Sequence, residues 1–328
     1  MTDPAASPDP VLLAEVTRRD VSGRDVVESL HHAHAVITDG DGAVLWAAGE
    51  PTLVTFVRST AKPFQATACL EVLREAGWPG GRPSDAEVAV GWASHAGADV
   101  HLATVRQLLA RSGVEPEALT CPADVRPDVP SDGRRRLHHN CSGKHALFAL
   151  AGRAMGVAGS DLLDPSAPFQ QHLLGAVGDA LGPFEAIGVD GCGAPAVAVP
   201  LARLAHGFAQ LVVGTRWADA RAAGLANPVL VGGTSRLETA LLDAGIVAKP
   251  GAEGVFAVGW VDSGGPRGLA VKVADGANRA AEVITRAILD RLGVAPTPAW
   301  VAPTPLGGGR AAGLVRAVLD VATVRLPG

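Results

Sequence analysis

The sequence has no tyrosine, two methionines, four cysteines and only four lysines among its 328 residues. Arginine supplies the other 24 of the 28 basic residues, so a compositional bias replaces lysine wherever any cation will serve. Arginine keeps its proton in a protein, whereas a desolvated lysine can act as a neutral base or a metal ligand. The lysines that remain are Lys62, Lys144, Lys249 and Lys272. They are the first candidates for chemistry, except that Lys249, beside Pro250 and Gly251, is expected to lie in a loop.

Long apolar runs are also absent, because Gly, Pro and charges interrupt every apolar stretch before the roughly 18 to 20 residues that a membrane span needs. Residues 1–10 carry no lysine, arginine or apolar run, so no secretory signal is predicted and a soluble, cytoplasmic protein is expected. Cysteines this few and widely spaced are typical of a reducing compartment. The formal charge of −5 and the scattered basic residues predict no nucleic-acid surface.

Local patterns predict a β cluster, a mainly helical middle and a return to β near the C-terminus. Residues 33–49 indicate a hairpin around an Asp-Gly-Asp-Gly turn, and residues 61–78 have helical spacing. Further helices are predicted at about 99–112, 165–181, 199–211, 233–244, 277–292 and 311–322, and strands at about 52–57, 185–190, 254–260 and 267–274. This order favours an α/β (α+β) fold, with an antiparallel sheet built from both chain ends and an inserted helical region.

The segment from Ser59 to Lys62 lies at the start of the first predicted helix. A residue three positions on lies one turn along the same helical face, so the Ser59 hydroxyl and the Lys62 amine can meet. A neutral amine could then remove the hydroxyl proton, and the helix N-terminus would favour the developing negative charge. A serine that caps the helix beside a solvated lysine explains most Ser-x-x-Lys matches, but the scarcity of lysine makes the two interpretations comparable here.

Two further segments combine small residues with reactive groups. Around Ser94 and His95, small residues predict a loop that comes close to a ligand, although an ordinary turn explains them as well. In a strand, Lys272 would share one face with Ala270 and Ala274, which leaves room beside its amine. The alternative for Lys272 is a lysine at a sheet edge that opposes aggregation.

Histidines and cysteines are concentrated in residues 138–145, and Cys192 follows in residues 188–195. Such a combination suggests a zinc site, but the paired Cys-x-x-Cys spacing that is usual for zinc is absent. Small buried cysteines with nearby imidazole hydrogen bonds are the competing interpretation. From spacing alone, the prediction of a metal is therefore weak.

In sequence and order these segments resemble the rhizobial-type L-asparaginases, the asparaginase II family, which is related to serine β-lactamases and glutaminases. The motifs that carry the resemblance are 58–63 (RSTAKP), 93–95 (ASH), 139–145 (HNCSGKH), 190–195 (DGCGAP) and 272–276 (KVADG). The similarity extends from about residue 12 to 323. It implies a β-lactamase/glutaminase-like fold, with a disordered tail at 1–10 and a single catalytic domain at 11–328. It further implies hydrolysis of L-asparagine to L-aspartate and ammonia by a homodimer.

The resemblance also implies roles for individual residues. The catalytic residues would be two serine–lysine pairs, Ser59 with Lys62 and Ser94 with Lys272. The substrate-binding residues would be Arg58, His95, Asn140 and Gly193. The ligands of a zinc ion (Zn2+) would be Cys141, Lys144 and Cys192, with Asp190 and His145 close by. One departure is visible: many relatives have a glutamate after the segment 94–97, whereas this chain has Ala98 followed by Asp99.

The expected reaction begins with attack of Ser59 on the amide carbon, while Lys62 takes the hydroxyl proton and helps to deliver one to the departing ammonia. The two pairs could exchange roles, because the sequence does not determine which serine is acylated. Zinc is expected to position the amino and carboxylate groups of the substrate. Glutamine or another small amide is an alternative substrate, since one methylene is discriminated only weakly. A penicillin-interactive serine hydrolase and a non-catalytic zinc-binding protein are more distant alternatives.

Overall fold

The computed structural model describes residues 9–123, 135–294, 300–319 and 324–326, so residues 1–8 of the predicted tail lie outside the described residues. The described strands are β1 (Val11–Arg19), β2 (Asp25–Asp39), β3 (Val44–Ala48), β4 (Val54–Phe56), β5 (Ala186–Val189), β6 (Pro195–Pro200), β7 (Val247–Gly251), β8 (Val255–Asp262), β9 (Gly265–Val273), β10 (Leu306–Gly307), β11 (Arg310–Ala311) and β12 (Gly313–Ala317). The described α-helices are α1 (Lys62–Glu75), α2 (Asp85–Gly91), α3 (Asp99–Ser112), α4 (Ser142–Ala154), α5 (Pro168–Leu181), α6 (Leu201–Val213), α7 (Ala218–Ala226), α8 (Pro228–Val231), α9 (Leu237–Asp243) and α10 (Asn278–Arg291).

Contacts between Cα atoms divide the chain into two compact units. Unit 1 comprises Met1–Thr60, Val199–Val212 and Ala248–Gly328, and unit 2 comprises Ala61–Ala198 and Val213–Val247. The division does not test whether residues 11–328 act as a single catalytic domain, which stays a prediction.

Unit 1 is built on a sheet whose strands come from both ends of the chain. The strand order is β12–β1–β2–β9–β8–β7, and β3 also pairs with β2. The hairpin predicted at 33–49 is confirmed, because β2 and β3 pair antiparallel and the Asp39 carboxylate accepts the backbone N–H groups of Asp41 and Ala43 in the turn. The predicted α/β (α+β) class, with an antiparallel sheet from both chain ends and an inserted helical region, is confirmed as well.

Helix α6 packs closely on this sheet at two glycines. A Cβ atom at Gly268 would lie 1.8 Å from the backbone oxygen of Ala205, and one at Gly259 would lie 2.3 Å from that of Phe208. No side chain fits at either position, so glycine allows the helix backbone to approach the strands directly. The approach at Gly268 fixes β9, the strand that carries Lys272.

One predicted helix is wrong. Within the segment 311–322, residues Gly313–Ala317 form β12 and pair antiparallel with β1. Val315 is buried while Leu314 is exposed, which is the alternation of a half-buried strand. The partner strand satisfies the backbone groups that a helix would have satisfied internally. Residues 320–322 of the prediction lie outside the described residues.

The predicted loop position of Lys249 is also wrong. Lys249 lies in β7 and is fully buried, and its Nζ donates to the backbone oxygen of Pro250 over 3.1 Å. Pro250 indicated a break in secondary structure, but β7 is the last strand in the order of the sheet. Proline is tolerated in an edge strand because the N–H group that it lacks needs no partner on the open side.

Unit 2 holds the predicted helical middle of the chain. The helices predicted at 99–112 and 165–181 are confirmed as α3 and α5. Trp92 lies in the apolar core, donates from Nε1 to the backbone oxygen of Ala220 over 3.2 Å, and packs where Gly224 leaves room for its ring. None of the helices in the described part of the chain is long and apolar enough to cross a membrane.

Candidate active site

Lys62 is the first residue of α1, and its side chain is almost completely buried, with 1% exposed. Its Nζ donates to the backbone oxygen of Ala93 and, over 3.1 Å, to Ser94 Oγ. A neutral amine has two N–H groups, enough for both acceptors, and keeps a lone pair that can accept a proton. The structure therefore brings together the lysine of the first predicted pair and the serine of the second.

Ser94 owes its position to helix α2 and to the last residue of α8. Helix α2 begins with a capping box in which Ser84 and Glu87 satisfy each other's backbone N–H groups. Two residues after Trp92 closes that helix, the Ser94 backbone N–H donates to the backbone oxygen of Val231 over 3.1 Å. The backbone of Ser94 is thus fixed to Val231, which sets the position from which its hydroxyl meets Lys62.

His95 is buried, and both of its ring nitrogens contact protein groups. Nδ1 accepts the backbone N–H of Gly97 over 3.1 Å, so Nε2 carries the proton and donates to Ser142 Oγ over 2.9 Å. Ser142 Oγ donates in turn to the backbone oxygen of Leu137. Direct contact of a His95 nitrogen with substrate would require one of these bonds to break, so the predicted substrate-binding role stays a prediction.

A second histidine, which the sequence analysis missed, organises the same loop. The ring of His101 stacks on that of His95 with centroids 5.1 Å apart. Its Nδ1 accepts the backbone N–H of Ala98, and its Nε2 donates to the backbone oxygen of Val229. Burial lowers the pKa of His101. The residue after the segment 94–97, Ala98, is therefore held through its backbone N–H.

The three predicted zinc ligands lie together in unit 2, and all are buried. Lys144 Nζ donates to Cys192 Sγ over 3.0 Å. A hydrogen bond between the two thiol groups lowers the pKa of Cys141 and raises that of Cys192. Burial alone would lower the pKa of Lys144, but the charges of Cys192 and Cys141 outweigh it and raise that pKa. A metal ion bound by the Lys144 amine would have to displace this proton.

The turn between β5 and β6 presents Cys192 to this cluster. The Asp190 backbone N–H donates to the backbone oxygen of Ala194, and the Gly193 N–H donates to that of Asp190, both over 2.8 Å. Gly193 has a φ of +87°, a value that favours glycine. The predicted substrate-binding Gly193 thus has a structural reason for its identity, whereas the predicted Asn140 is exposed in the turn before α4.

His145 adds a further donor beside the cysteines. Its Nδ1 lies 2.6 Å from Thr120 Oγ1, while its buried Nε2, close to Cys192, has no hydrogen-bond partner among the described residues. Burial lowers the pKa of His145 to about 4, so its imidazole is neutral near pH 7. Two sulfurs, an amine and a neutral imidazole nitrogen suit zinc. No group of three or more His, Cys, Asp or Glu side chains is placed to hold a metal within residues 9–123, 135–294, 300–319 and 324–326, but the predicted set includes a lysine.

Ser59 lies in a 3₁₀ turn, Arg58–Ala61, immediately before α1. Arg58 has a φ of +52°, which is uncommon for a residue other than glycine. Strand β7 backs this turn, because a Cβ atom at Gly251 would lie 3.0 Å from the backbone oxygen of Val57 and 3.3 Å from Arg58 Cβ. Backbone strain that the surroundings hold in place is found preferentially at functional sites. The predicted nucleophile therefore follows a strained residue in unit 1.

Lys272 lies in unit 1 on β9 and is only partly buried. Its Nζ donates to the backbone oxygens of Glu253, over 2.8 Å, and Val273. Burial lowers the pKa of Lys272, and the carboxylates of Glu253 and Asp275 partly offset that effect. The residue opposite Lys272 on β2 is His34, which the sequence analysis also missed. Pairing between distant strands brings them together, so no local spacing in the sequence signals this contact.

Comparison with protein-family models agrees with the sequence resemblance. The model of the L-asparaginase II family matches residues 14–308 of the chain. No curated protein sequence matches significantly. Among solved structures, the chain is similar to EstCE1, described as a hydrolase with promiscuous acyltransferase activity, at 13% identity and a TM-score of 0.39, over 77% of this chain and 92% of that one. It is also similar to the native form of Mglu, at 15% identity and a TM-score of 0.36, over 79% of this chain and 63% of that one.

Proposed function

The chain belongs to the L-asparaginase II family, and we propose that its substrate is L-asparagine. Membership of this family supports the activity of an amidohydrolase. The products would be L-aspartate and ammonia. The observation that carries the proposal is the buried Lys62 amine, which is held by the Ala93 carbonyl and the Ser94 hydroxyl. A buried amine beside a hydroxyl is the arrangement that serine–lysine catalysis requires.

In the proposed reaction, Ser59 attacks the side-chain amide carbon of asparagine. Lys62 takes up the hydroxyl proton and passes a proton to the departing ammonia, and water then hydrolyses the ester. Ser94 would relay protons through its contact with Lys62. The distance of 3.1 Å between Lys62 Nζ and Ser94 Oγ also favours an alternative in which Ser94 is the residue that becomes acylated.

Zinc is part of the proposal, and Cys141, Lys144 and Cys192 are the residues that would hold it. Their burial and mutual contacts, with the His145 nitrogen beside them, support this assignment. When bound, the ion would supply positive charge that orients the carboxylate of the substrate. Asp190 would contribute by holding the turn that carries Cys192. We further propose that the protein acts in the cytoplasm as a homodimer, as is usual for such enzymes.

The test of the proposed function is ammonia release from L-asparagine and, separately, from L-glutamine by the purified protein. The expected result is turnover of asparagine that Ser59→Ala reduces by about 10³-fold or more, since a nucleophile and its base act as one unit. Turnover of glutamine alone would change the substrate. Release from neither amide by a folded protein would contradict the proposal.

The acylated serine is identified by stopping the reaction in acid and mapping the modified peptide by mass spectrometry. Ser94→Ala is the matched variant, because it removes the other hydroxyl and leaves Ser59 in place. An adduct on the peptide that contains Ser59, retained in Ser94→Ala, supports the proposed role. An adduct on the peptide that contains Ser94 would exchange the two roles while leaving the amidohydrolase assignment intact.

A further inference from the structure

Helix α4 begins against the end of α2, close to the two groups that accept hydrogen bonds from the Lys62 amine. Its second residue is Gly143, and a Cβ atom there would lie 2.1 Å from the backbone oxygen of Val90. No side chain fits at that position, so glycine lets the backbone of α4 pack on the last turn of α2. The start of α4 is thus anchored three residues before Ala93, whose oxygen accepts from Lys62 Nζ.

A second contact from α4 lies on the far side of the segment 93–94. Ser142, the first residue of α4, is fully buried, and its Oγ lies 2.9 Å from His95 Nε2. The two contacts bracket the segment 93–94, which supplies both hydrogen-bond acceptors of the Lys62 amine. A shift of the start of α4 would therefore move those acceptors relative to the amine.

The neighbours of Ser142 and His95 fix the direction of the hydrogen bond between them. The Ser142 hydroxyl has one proton, which it donates to the backbone oxygen of Leu137 over 2.8 Å, because a carbonyl can only accept. The Ser142 oxygen must then accept from His95 Nε2. The other ring nitrogen requires the same tautomer, since Nδ1 accepts the backbone N–H of Gly97. Both sides of the imidazole thus favour a single neutral form.

The ring of His101 holds that of His95 in the orientation that reaches Ser142. The two rings are stacked, with 16° between their planes. His101 is itself fixed, because its ring nitrogens bond to the backbone of Ala98 and Val229. Rotation of the His95 ring away from Ser142 would disrupt this stack. The bond between His95 and Ser142 is therefore a rigid link from α4 to the loop that carries Ser94.

We propose that Ser142 and His95 are positioning residues, which hold Ser94 beside Lys62 and do not contact the substrate. This inference rests on the proposed function, in which Lys62 and Ser94 transfer protons. Catalysis depends steeply on such placement, because a displacement of about 1 Å can reduce the rate about 100-fold. The family resemblance implies no role for Ser142 and implies contact with substrate for His95, so the two assignments of His95 make different predictions.

The kinetic experiment compares Ser142→Ala, His95→Asn and His95→Gln in ammonia release from asparagine. The amide of glutamine can place an N–H group near the position of His95 Nε2 and keep the bond to Ser142, whereas the shorter asparagine replaces only Nδ1. We expect kcat to fall about tenfold to 100-fold in Ser142→Ala and His95→Asn, with KM within about twofold of the wild type. His95→Gln should restore part of the loss.

Two further variants separate the hydrogen bond from general stability. Ser142→Ala combined with His95→Asn should cost no more than either change alone, because both remove the same bond. The matched control is Ser112→Ala, since Ser112 is also a buried serine of unit 2 and its hydroxyl donates to the backbone oxygen of Leu109, outside this network. Its kcat should equal that of the wild type.

Hydrogen exchange measured by mass spectrometry tests the positioning without any substrate. In the peptide that contains residues 94–98, the backbone N–H groups of residues 94, 97 and 98 are hydrogen-bonded. Exchange in this peptide should be about tenfold faster in Ser142→Ala and unchanged in Ser112→Ala. Faster exchange in a chain that releases ammonia from neither amide would contradict the proposed function while supporting the link between α4 and the loop.

Three results would overturn the positioning role. The first is wild-type exchange of the peptide 94–98 in Ser142→Ala. The second is a rise in KM in both His95 variants while Ser142→Ala keeps wild-type kinetics, which would return His95 to substrate binding. The third is an equal loss of kcat in Ser142→Ala and Ser112→Ala, which would show that the loss reflects stability and not the bond to His95.

Discussion

The lysines of the two units are held by different kinds of partner. In unit 2, Lys62 contacts the Ser94 hydroxyl as well as the Ala93 carbonyl, Lys144 contacts the Cys192 thiol, and both amines are buried. In unit 1, the partly buried Lys272 donates to two backbone carbonyls. A hydroxyl or a thiol can give and accept a proton, whereas a carbonyl can only accept a hydrogen bond. The contacts therefore suit Lys62 to proton transfer and Lys272 to supplying charge.

The largest effect is expected from exchanging lysine for arginine in both units. Lys62→Arg replaces the amine with a guanidinium that stays protonated and cannot accept a proton, so kcat for asparagine should fall by about 10³-fold. Lys272→Arg keeps the charge that we assign to this position and should retain more activity, with a loss of about tenfold or less. Steady-state ammonia release at pH 7 measures both, with circular dichroism as the control for folding. Equal losses of kcat in the two variants would show that the two lysines do not differ in role.

The next effect concerns the thiol groups that only unit 2 brings together. Cys192→Ala should weaken zinc binding by at least about 100-fold, more than the loss of an outer contact does. Competition with a chromogenic chelator measures this affinity without reference to activity. Cys69→Ala is the matched control, because Cys69 is also a buried free cysteine of unit 2 but is not among the predicted ligands. Zinc affinity unchanged in Cys192→Ala would remove this cysteine from the ligand set.

Much of the fold could be predicted from local patterns, because hairpins and amphipathic helices carry their signals within a few residues. Helix α4 could not be predicted in this way, because buried residues lie on every side of it and no apolar stripe marks one face. Strand β12 was taken for a helix because its partner, β1, lies at the other end of the chain. Long-range pairing also explains why the buried position of Lys249 in an edge strand escaped prediction.

The candidate site, too, has some features that the sequence predicts and others that it does not. The predicted zinc ligands are clustered, and Lys62 contacts a predicted catalytic serine, so motif order was informative about proximity. His101 and His34 were missed because one contacts its partner by stacking and the other through strand register. Neither contact can be inferred from the spacing of residues along the chain. The assignment of catalytic, substrate-binding and zinc-binding roles stays a prediction.

A smaller effect is expected where β7 supports the turn before Ser59. Gly251→Ala places a methyl group 3.0 Å from the Val57 carbonyl and should shift Arg58, so kcat should fall by about threefold to tenfold. The matched control is Gly175→Ala in α5, where no described atom lies within 4 Å of the added methyl. That change should stabilise unit 2 by about 0.5 to 1 kcal/mol without an effect on kcat. Equal kinetics in the two variants would show that the Arg58 turn tolerates displacement.

The smallest effect is a change in the titration of Lys272. It can be measured by carbon NMR of a chain labelled at lysine Cε, because the sequence has only four lysines. Burial lowers the Lys272 pKa, Glu253 and Asp275 raise it, and His34 faces it from β2. Asp275→Asn removes one carboxylate that raises the Lys272 pKa, so that pKa should fall further, though only slightly because Asp275 is half-exposed. Asp262→Asn, at the other end of the sheet, is the control.

The direction of the pH dependence follows from the lowered pKa. Between the Lys272 pKa in the folded chain and its ordinary value of 10.5, the unfolded chain binds more protons, so this group makes stability rise with pH across that interval. Asp275→Asn should widen the interval toward lower pH. If Lys272 supplies charge, activity should decline as pH rises through its folded pKa, and in Asp275→Asn the decline should begin at lower pH. A rise in activity over the same range would instead indicate that Lys272 acts as a neutral amine. Lys272 and Lys62 would then have the same kind of role.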